Sequence, residues 1–235
     1  MAKLPPPTRP LPELRRGEVK VLRTGSRLYR VYNAGGRHAT TWNTLRTFGP
    51  TAGGRFDPHL PPPHDQDRGV LYAAGSIATA IAEKFGSTRV VELRRDDPWL
   101  VAFAVTRPIR LLDLSGAWPT RAGASQAIAS GRKDVTQLWA QAIYEEYDVD
   151  GAWYPSSMSG TARGPGDPPW HGLAAALFER SAGTLPRHPA LPRDPALPRH
   201  SALPRHPALH LPLDHPGLAQ PLAAIAERFG YGLIA

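Results

Sequence analysis

The stretch VLYAAGSIATAIAEKFG (70–86) decides the fold class, because it joins a short apolar strand to an amphipathic helix through a tight turn. Its first five residues are apolar and aromatic, which favours a strand. Ser76 can then cap a helix, and Gly86 can end it. The chain is therefore predicted to combine strands and helices from this point outward.

The helix within this stretch has one clear apolar face. Ile77, Ile81 and Phe85 recur at helical spacing and predict the buried side. Successive residues turn by about 100° around a helix, so Glu83 is placed almost opposite that side. Taken alone, Glu83 has the position of an ordinary solvent-facing glutamate.

The rest of the chain alternates similar elements. Strands are predicted for RLYRVY (27–32), RVVEL (89–93), WLVAFAV (99–105), RLLDL (110–114), GAWYP (151–155), AAALFER (174–180), LHLPL (209–213) and the closing YGLIA (231–235). Helices are predicted near 122–129, over 134–147 and over 218–229, with Gly230 as a C-cap. Strands outnumber helices without alternating strictly, which favours an α+β fold with a mixed or antiparallel sheet and flanking helices.

Composition excludes several classes of protein. With 235 residues and 41% hydrophobic residues, the chain can bury a sizeable core. The absence of cysteine excludes disulfides, thiolate metal sites and a cysteine nucleophile. No stretch has the length of a signal peptide core or a membrane span. The sequence therefore predicts a cytoplasmic protein without a membrane partner.

The net charge of +8 is concentrated in two segments. Residues 1–30 carry eight Lys and Arg against two Glu, and 184–209 carry four Arg against one Asp. We interpret 1–21 as a proline-rich basic extension and 22–235 as one domain. Because the excess lies in segments that resemble tails, direct nucleic-acid binding is not expected.

A proline-rich hexapeptide repeat interrupts the domain at 184–208. Four units, LPRHPA, LPRDPA, LPRHSA and LPRHPA, follow one another from Leu185 to Ala208. So much proline excludes a helix or an interior strand and favours an extended, solvated arm. Since ordered patterns resume afterwards, the repeat is an insertion and not a linker between domains.

Two arginines are candidates for binding an anion. Strand alternation places Arg30 on one face with Leu28 and Tyr32, where a charge needs an anionic partner or an edge strand open to water. Arg55 follows the glycines of TFGPTAGGRFDP (47–58), where a guanidinium can hold two phosphate oxygens. The glycine stretch matches neither a P-loop nor a dinucleotide fingerprint.

Two further clusters contain residue types that can carry chemistry. Serines crowd the loop after the strand GAWYP, but no nucleophile elbow or triad accompanies them, so they are interpreted as binding or turn residues. A second set is polar and could attract a metal, although its irregular spacing favours a loop without metal; it comprises Asp57, His59, His64, Asp65 and Asp67.

Together these pieces resemble the RES domain, the toxin half of RES–Xre toxin–antitoxin pairs. That family is named for an arginine, a glutamate and a serine in this order, which here are Arg30 in LYRVY, Glu83 in AIAEKF and Ser156 in WYPSS. GGRFDP, Tyr72 eleven residues before the glutamate, and the ending AAALFERS, LHLPLDHPGL and GYGLIA support the match. The resemblance spans about 22–235 without the repeat.

The resemblance implies an ADP-ribosyltransferase-like fold and cleavage of the nicotinamide–ribose bond of NAD, with phosphate or water as acceptor. It implies catalytic roles for Glu83, Arg30 and Ser156, and binding of NAD or phosphate by Arg55, Tyr72 and Arg30. Ser156 is preferred to Ser157 because it directly follows the proline. NAD is a substrate in this scheme, with no separate cofactor or metal.

The resemblance also implies a partner, an Xre-type antitoxin that covers the pocket and mediates any contact with nucleic acid. Two other functions stay open on the sequence. One is an ADP-ribosyltransferase that modifies a macromolecule with the same pocket. The other is a non-enzymatic binding module that uses the basic and proline-rich segments.

Overall fold

The computed structural model describes residues 4–160, 163–164, 166–179, 203–204 and 206–235. Most of the predicted hexapeptide repeat, and the interpretation of it as an arm, lies outside these residues. No helix in the described ranges is long and apolar enough to cross a membrane.

The strands of the described chain are β1 (Val19–Leu22), β2 (Arg27–Asn33), β3 (Arg46–Gly49), β4 (His64–Ala74), β5 (Val90–Glu92), β6 (Pro98–Ala104), β7 (Ile109–Asp113), β8 (Gly151–Pro155), β9 (Leu173–Phe178), β10 (Leu209–Pro212) and β11 (Gly232–Ile234). The α-helices in the same ranges are α1 (Ile77–Phe85), α2 (Trp118–Arg121), α3 (Lys133–Glu146) and α4 (Ala219–Phe229). Short 3₁₀ turns cover 126–129 and 216–218. Each strand and each long helix predicted from the sequence is present, and the bounds agree within two residues except that β4 begins at His64, six residues before the predicted 70–74.

Among the described residues, nine strands form one mixed sheet. Its order is β1-β7-β8-β9-β4-β2-β6-β10, with β3 paired to β4. β7 and β8 run parallel, whereas the other neighbours in this sheet are antiparallel. β5 and β11 form a separate parallel pair. The predicted α+β class with a mixed sheet is confirmed.

The sheet opens between β2 and β4. β2 pairs with β6 along its whole length, but it pairs with β4 only where Tyr29 faces Ala74. Beyond that point the two strands separate, and Arg30 is the next residue of β2. β2 lies between β4 and β6 and is not an edge strand, so the edge-strand interpretation is wrong, although at Arg30 itself only β6 is paired.

Two apolar layers hold the sheet. One face packs against α3 and includes the fully buried rings of Trp118, Trp139 and Phe178. The other face buries Leu28, Phe103 and further side chains of β2, β6 and β7. A third cluster joins α1 to α4. Fully burying a large apolar side chain contributes about 1.5–3 kcal/mol, so these layers dominate the stability of the fold.

The N-terminal segment is part of this core, which corrects the interpretation of 1–21 as a tail. Leu4 and Leu11 are 8% and 7% exposed and pack with the α3 layer. The indole Nε1 of Trp139 donates to the Pro5 carbonyl at 2.9 Å. β1 then pairs with β7 at the edge of the sheet. This packing could not be predicted from the sequence, because a proline-rich segment forms no helix or interior strand and so has no apolar periodicity that would indicate a buried face.

Candidate active site

Helix α1 begins directly after β4 and carries Glu83 in its last turn. The N-cap Ser76 is extended (φ −151°) and accepts a hydrogen bond from the Thr79 backbone N–H at 3.0 Å. Ile81 and Phe85 are buried on the apolar side, as predicted. The opposite side faces a pocket between β2 and β4, so Glu83 is directed into that pocket and not into open solvent.

The pocket has a volume of about 470 Å³, within the range of about 300–1,000 Å³ typical of ligand sites. Its wall includes Tyr72 and Tyr154 and the glycines of the loop after β3. The charged residues described in its lining are Arg30, Arg46, Arg55, Lys84, Lys133 and Glu83. Cations thus outnumber the carboxylate, which favours an anionic ligand.

Glu83 is exposed to the pocket but surrounded by protein atoms on most sides. This desolvation raises the pKa of Glu83, while a hydrogen bond from Ser156 and the charges of Arg55 and Lys133 work in the opposite direction. A carboxylate with a raised pKa in a pocket is a candidate for chemistry, because a purely structural carboxylate is usually better satisfied.

Arg30 is half-buried at the point where β2 leaves β4. Its Nη1 is fully shielded from solvent and has no hydrogen-bond partner among the described residues. Burial, with Arg46 adding a like charge and Tyr32 opposing both, lowers the pKa of Arg30 to about 10. Arg30 stays charged near neutral pH, and a buried guanidinium nitrogen without a partner is suited to an anion.

Arg55 stands at the end of the glycine-rich loop and is fixed by contacts with α3 and with the turn that precedes it. Its Nη1 donates to the Gly131 carbonyl, and its own carbonyl accepts from Thr136 Oγ1 at 2.8 Å. The side chain of Gln137 holds the same loop, donating to the carbonyls of Thr51 and Gly54 at 2.7 Å each. Arg55 therefore lines the pocket in a fixed position.

The hydroxyl of Tyr72 is already occupied. It donates to Asp57 Oδ1 at 2.7 Å and accepts from the Phe56 backbone N–H at 3.0 Å. Burial, followed by the charge of Asp57, raises the pKa of Tyr72 well above its usual value. The hydroxyl thus holds the glycine-rich loop, and the ring is the part of Tyr72 that a ligand would contact.

Ser156 and Ser157 differ sharply in their surroundings. Ser156 is 3% exposed, and its Oγ accepts from the backbone N–H groups of Met158 at 3.2 Å and Ser159 at 3.1 Å. Its influence on the pocket is electrostatic, since Ser156 lowers the pKa of Glu83 against the effect of burial. Ser157 is exposed and lines the pocket directly. Ser157, and not Ser156, is therefore the serine that faces the pocket.

The pocket brings together Arg30, Arg55, Tyr72 and Glu83 and places Ser156 behind Glu83. Arg46, Lys84 and Lys133 also line it, and sequence reasoning missed all three. Lys84 directly follows Glu83, and burial lowers its pKa. Lys133 is the first residue of α3, and Arg46 belongs to β3, a strand that was not predicted. Neither residue lies in a sequence motif that would indicate a binding site.

The polar cluster considered for a metal is divided between two elements. His64, Asp65 and Asp67 belong to β4, so the prediction of a loop is wrong for them. Asp57 and His59 are 0% exposed in the preceding segment. Among the described residues no group of three or more His, Asp and Glu could hold a metal ion.

The pocket has two walls that differ in bonding. We call Arg30, Glu83 and Lys84 the α1 wall, and Arg46, Thr51–Arg55 and Tyr72 the loop wall. The charged side chains of the α1 wall have shifted pKa values and few hydrogen-bond partners. The arginines of the loop wall instead form hydrogen bonds or ion pairs with neighbouring residues. The arrangement can bind a polyanion beside a poised carboxylate.

Comparisons with known proteins agree with this architecture. The chain resembles the crystal structure of the M. tuberculosis MbcT–MbcA toxin–antitoxin complex with a TM-score of 0.50 and 17% identity, covering 87% of this chain and 92% of the other. At this identity the likeness concerns the fold. No curated protein matches the chain. The RES domain model matches residues 27–206, which is most of the chain. The protein therefore belongs to the RES domain family.

Proposed function

We propose that this protein degrades NAD by cleaving the bond between nicotinamide and ribose. The observation that carries the proposal is the α1 wall, where Glu83 has a raised pKa and shares the pocket with Arg30, whose buried Nη1 has no hydrogen-bond partner among the described residues. Membership of the RES family supports the same substrate, because the resemblance implies NAD cleavage.

The residue types suit this reaction. Nicotinamide leaves as a neutral molecule with the electrons of the glycosidic bond, and the positive charge passes to the ribose carbon and ring oxygen. A carboxylate at Glu83 stabilises that charge as it develops, in the way that glycosidases use a carboxylate. Phosphate or water then attacks the ribose carbon, giving ADP-ribose 1″-phosphate or ADP-ribose, respectively.

The cations of the pocket would hold the pyrophosphate and, in the phosphorolytic reaction, the incoming phosphate. Arg30 offers an unpartnered nitrogen at the inner end, and Arg55 is fixed in place by Gly131. Lys84 and Lys133 add point charges. Charge-assisted hydrogen bonds of this kind are about twice as strong as neutral ones, so they can orient NAD toward Glu83.

We further propose that the enzyme is a toxin of the cytoplasm neutralised by an Xre-type antitoxin. The similar solved structure is itself a toxin–antitoxin complex. A cationic pocket of about 470 Å³ is also a surface that a partner protein can cover. Under this proposal, expression of the chain alone depletes cellular NAD and stops growth, and co-expression of the antitoxin restores both.

The direct test is to incubate the purified protein with NAD, with and without inorganic phosphate, and to measure free nicotinamide. Faster release with phosphate, together with ADP-ribose 1″-phosphate as the product, supports a phosphorylase. Equal release with ADP-ribose as the product supports a glycohydrolase. Absence of nicotinamide in both reactions, from folded protein, would contradict the proposal.

Two variants make the test specific to the pocket. Glu83→Gln removes the carboxylate, whereas Glu227→Gln makes the same change on the exposed surface of α4. Release should be lost in the first and unchanged in the second. Labelled ADP-ribose attached to a protein or nucleic acid, in place of free product, would instead favour a macromolecular transferase.

A further inference from the structure

Behind the loop wall lies a carboxylate, Asp57, that the proposed chemistry does not use. It is 0% exposed and is not itself part of the pocket lining, although it contacts residues that are. Its oxygen Oδ2 accepts from the Thr51 backbone N–H at 3.0 Å and from Thr51 Oγ1 at 3.2 Å. These contacts hold the first residue of the glycine-rich loop to Asp57, which follows the loop in sequence.

The other oxygen of Asp57 holds two side chains that line the pocket. Oδ1 accepts from Arg46 Nη2 at 2.5 Å and from the Tyr72 hydroxyl at 2.7 Å. Arg46 belongs to β3 and Tyr72 to β4, so a single carboxylate oxygen ties both strands to the loop. A buried carboxylate that accepts four hydrogen bonds is held rigidly, because the loss of any one donor would leave part of its buried charge unsatisfied.

Gly54 supplies an independent sign that this position is built for the carboxylate. A Cβ atom added to Gly54 would lie 1.8 Å from Asp57 Oδ1 and 2.3 Å from its carboxyl carbon. The φ angle of Gly54 lies outside the left-handed region, so backbone strain does not explain the glycine. The missing side chain makes room for Asp57.

We propose that Asp57 is the positioning residue of the active site, setting Tyr72, Arg46 and the glycine-rich loop at the distance from Glu83 that NAD requires. The assignment rests on the proposed function, since it concerns the binding of the same substrate. Asp57 touches no ligand in this scheme; it acts through Tyr72 and Arg46. Misplacing binding groups by about 1 Å can cost on the order of 100-fold in rate.

The charge of Asp57 is constant over the range in which the enzyme would be assayed. Burial opposes ionisation, but Arg46, Thr51 and Tyr72 together outweigh it and hold the pKa of Asp57 below its usual value. Removal of the charge should therefore reduce activity equally at every pH above that value. A general base would instead change the shape of the pH profile.

The first experiment compares Asp57→Asn with Asp65→Asn, an exposed aspartate on β4 that accepts from Thr47 Oγ1 at 3.1 Å. We expect Asp57→Asn to lower kcat/KM for NAD by about 10- to 100-fold, mainly through KM, and Asp65→Asn to leave both constants unchanged. A merely structural role would reduce the active fraction, which lowers kcat and leaves KM unchanged.

A second variant keeps the test decisive if Asp57→Asn does not fold. Tyr72→Phe removes only the hydroxyl through which Asp57 is proposed to act. It should also raise KM, and Asp57→Asn should add less to Tyr72→Phe than to the wild type, because the two changes break one link. Unchanged KM in folded Tyr72→Phe would overturn the assignment, as would multiplicative effects of the two changes.

The steric argument has its own matched pair. Gly54→Ala should reproduce the rise in KM by displacing the carboxylate, whereas Gly116→Ala, with only Asp113 at 4.0 Å, should not. No nicotinamide release by the wild type would overturn the proposed function. Release with a normal KM in folded Asp57→Asn would overturn only the positioning role.

Discussion

The two walls of the pocket contain carboxylates in opposite states. On the α1 wall, Glu83 is open to the pocket and burial raises its pKa. Behind the loop wall, Asp57 is closed off from solvent, and four donors help to hold its pKa below the usual range. Both carboxylates lie close to the same pocket, so the difference indicates that Asp57 maintains the structure and that Glu83 is available for chemistry.

The arginines follow the same division. Arg46 of the loop wall donates to Asp57 at 2.5 Å and to the Phe48 carbonyl at 2.6 Å. Arg30 of the α1 wall keeps a shielded nitrogen for which the described residues offer no acceptor. A protein that leaves a charge unsatisfied in its interior loses stability there, and functional sites are where such losses are found.

The largest expected effect concerns Glu83→Gln. We expect kcat/KM for NAD to fall by about 1,000-fold, because stabilisation of the developing ribose charge is lost. The melting temperature at pH 7 should rise at the same time. A carboxylate whose folded pKa is raised favours the fold only at low pH and loses that contribution as pH rises through the folded pKa, so the neutral amide removes a penalty.

Thermal unfolding of both proteins between pH 4 and pH 7 checks this prediction. The gain in melting temperature should shrink toward pH 4, where wild-type Glu83 becomes protonated. A variant that is both inactive and clearly less stable at pH 7 would mean that Glu83 belongs with the structural groups, and the contrast between the walls would disappear.

The next effect concerns Arg30→Lys. We expect kcat/KM to fall by about 10- to 100-fold, because an ammonium cannot reproduce the fixed fork of a guanidinium. Inorganic pyrophosphate should raise the melting temperature of the wild type, and it should do so less for the variant. An equal rise in both proteins would place the anion elsewhere in the pocket.

The smallest effect on catalysis concerns Gln137→Ala, which removes the side chain that donates to the carbonyls of Thr51 and Gly54. The free energy of unfolding should fall by about 1–3 kcal/mol, because two carbonyls lose a buried partner. Denaturant titration measures this change. Activity per folded molecule should fall by less than about tenfold, since Asp57 still holds the loop. A loss as large as that of Glu83→Gln would contradict the division of roles.

The sequence predicted the helices and strands that have a clear apolar periodicity or a capping residue. The apolar spacing of Ile77, Ile81 and Phe85 predicted α1, and Gly230 ends α4 in the left-handed conformation with φ of 64°, as expected of a C-cap. Periodicity placed Glu83 away from the core, but it could not show whether the side chain faces bulk solvent or a pocket. That distinction depends on β2 and β4 separating after Tyr29, which is a property of the sheet and not of the helix.

Other features could not be read from the sequence because they depend on distant residues. The pairing of Arg46 with Asp57 requires β3 to lie beside β4, with an irregular register between Arg46 and Phe48. The N-terminal contacts require the C-terminal end of α3, since Tyr147, the C-cap of that helix, donates to the carbonyl of Pro12, 135 residues away in the sequence, at 2.5 Å. Neither segment has a local signal strong enough to predict its partner.

The measurement that tests the central claim most directly is release of nicotinamide from NAD at pH 7 by the wild type, Glu83→Gln and Glu227→Gln in parallel. We predict release by the wild type and by Glu227→Gln at equal rates, and a loss of about 1,000-fold in folded Glu83→Gln. Release by Glu83→Gln at the wild-type rate, or no release by any of the three, would contradict the assignment of NAD cleavage to this pocket.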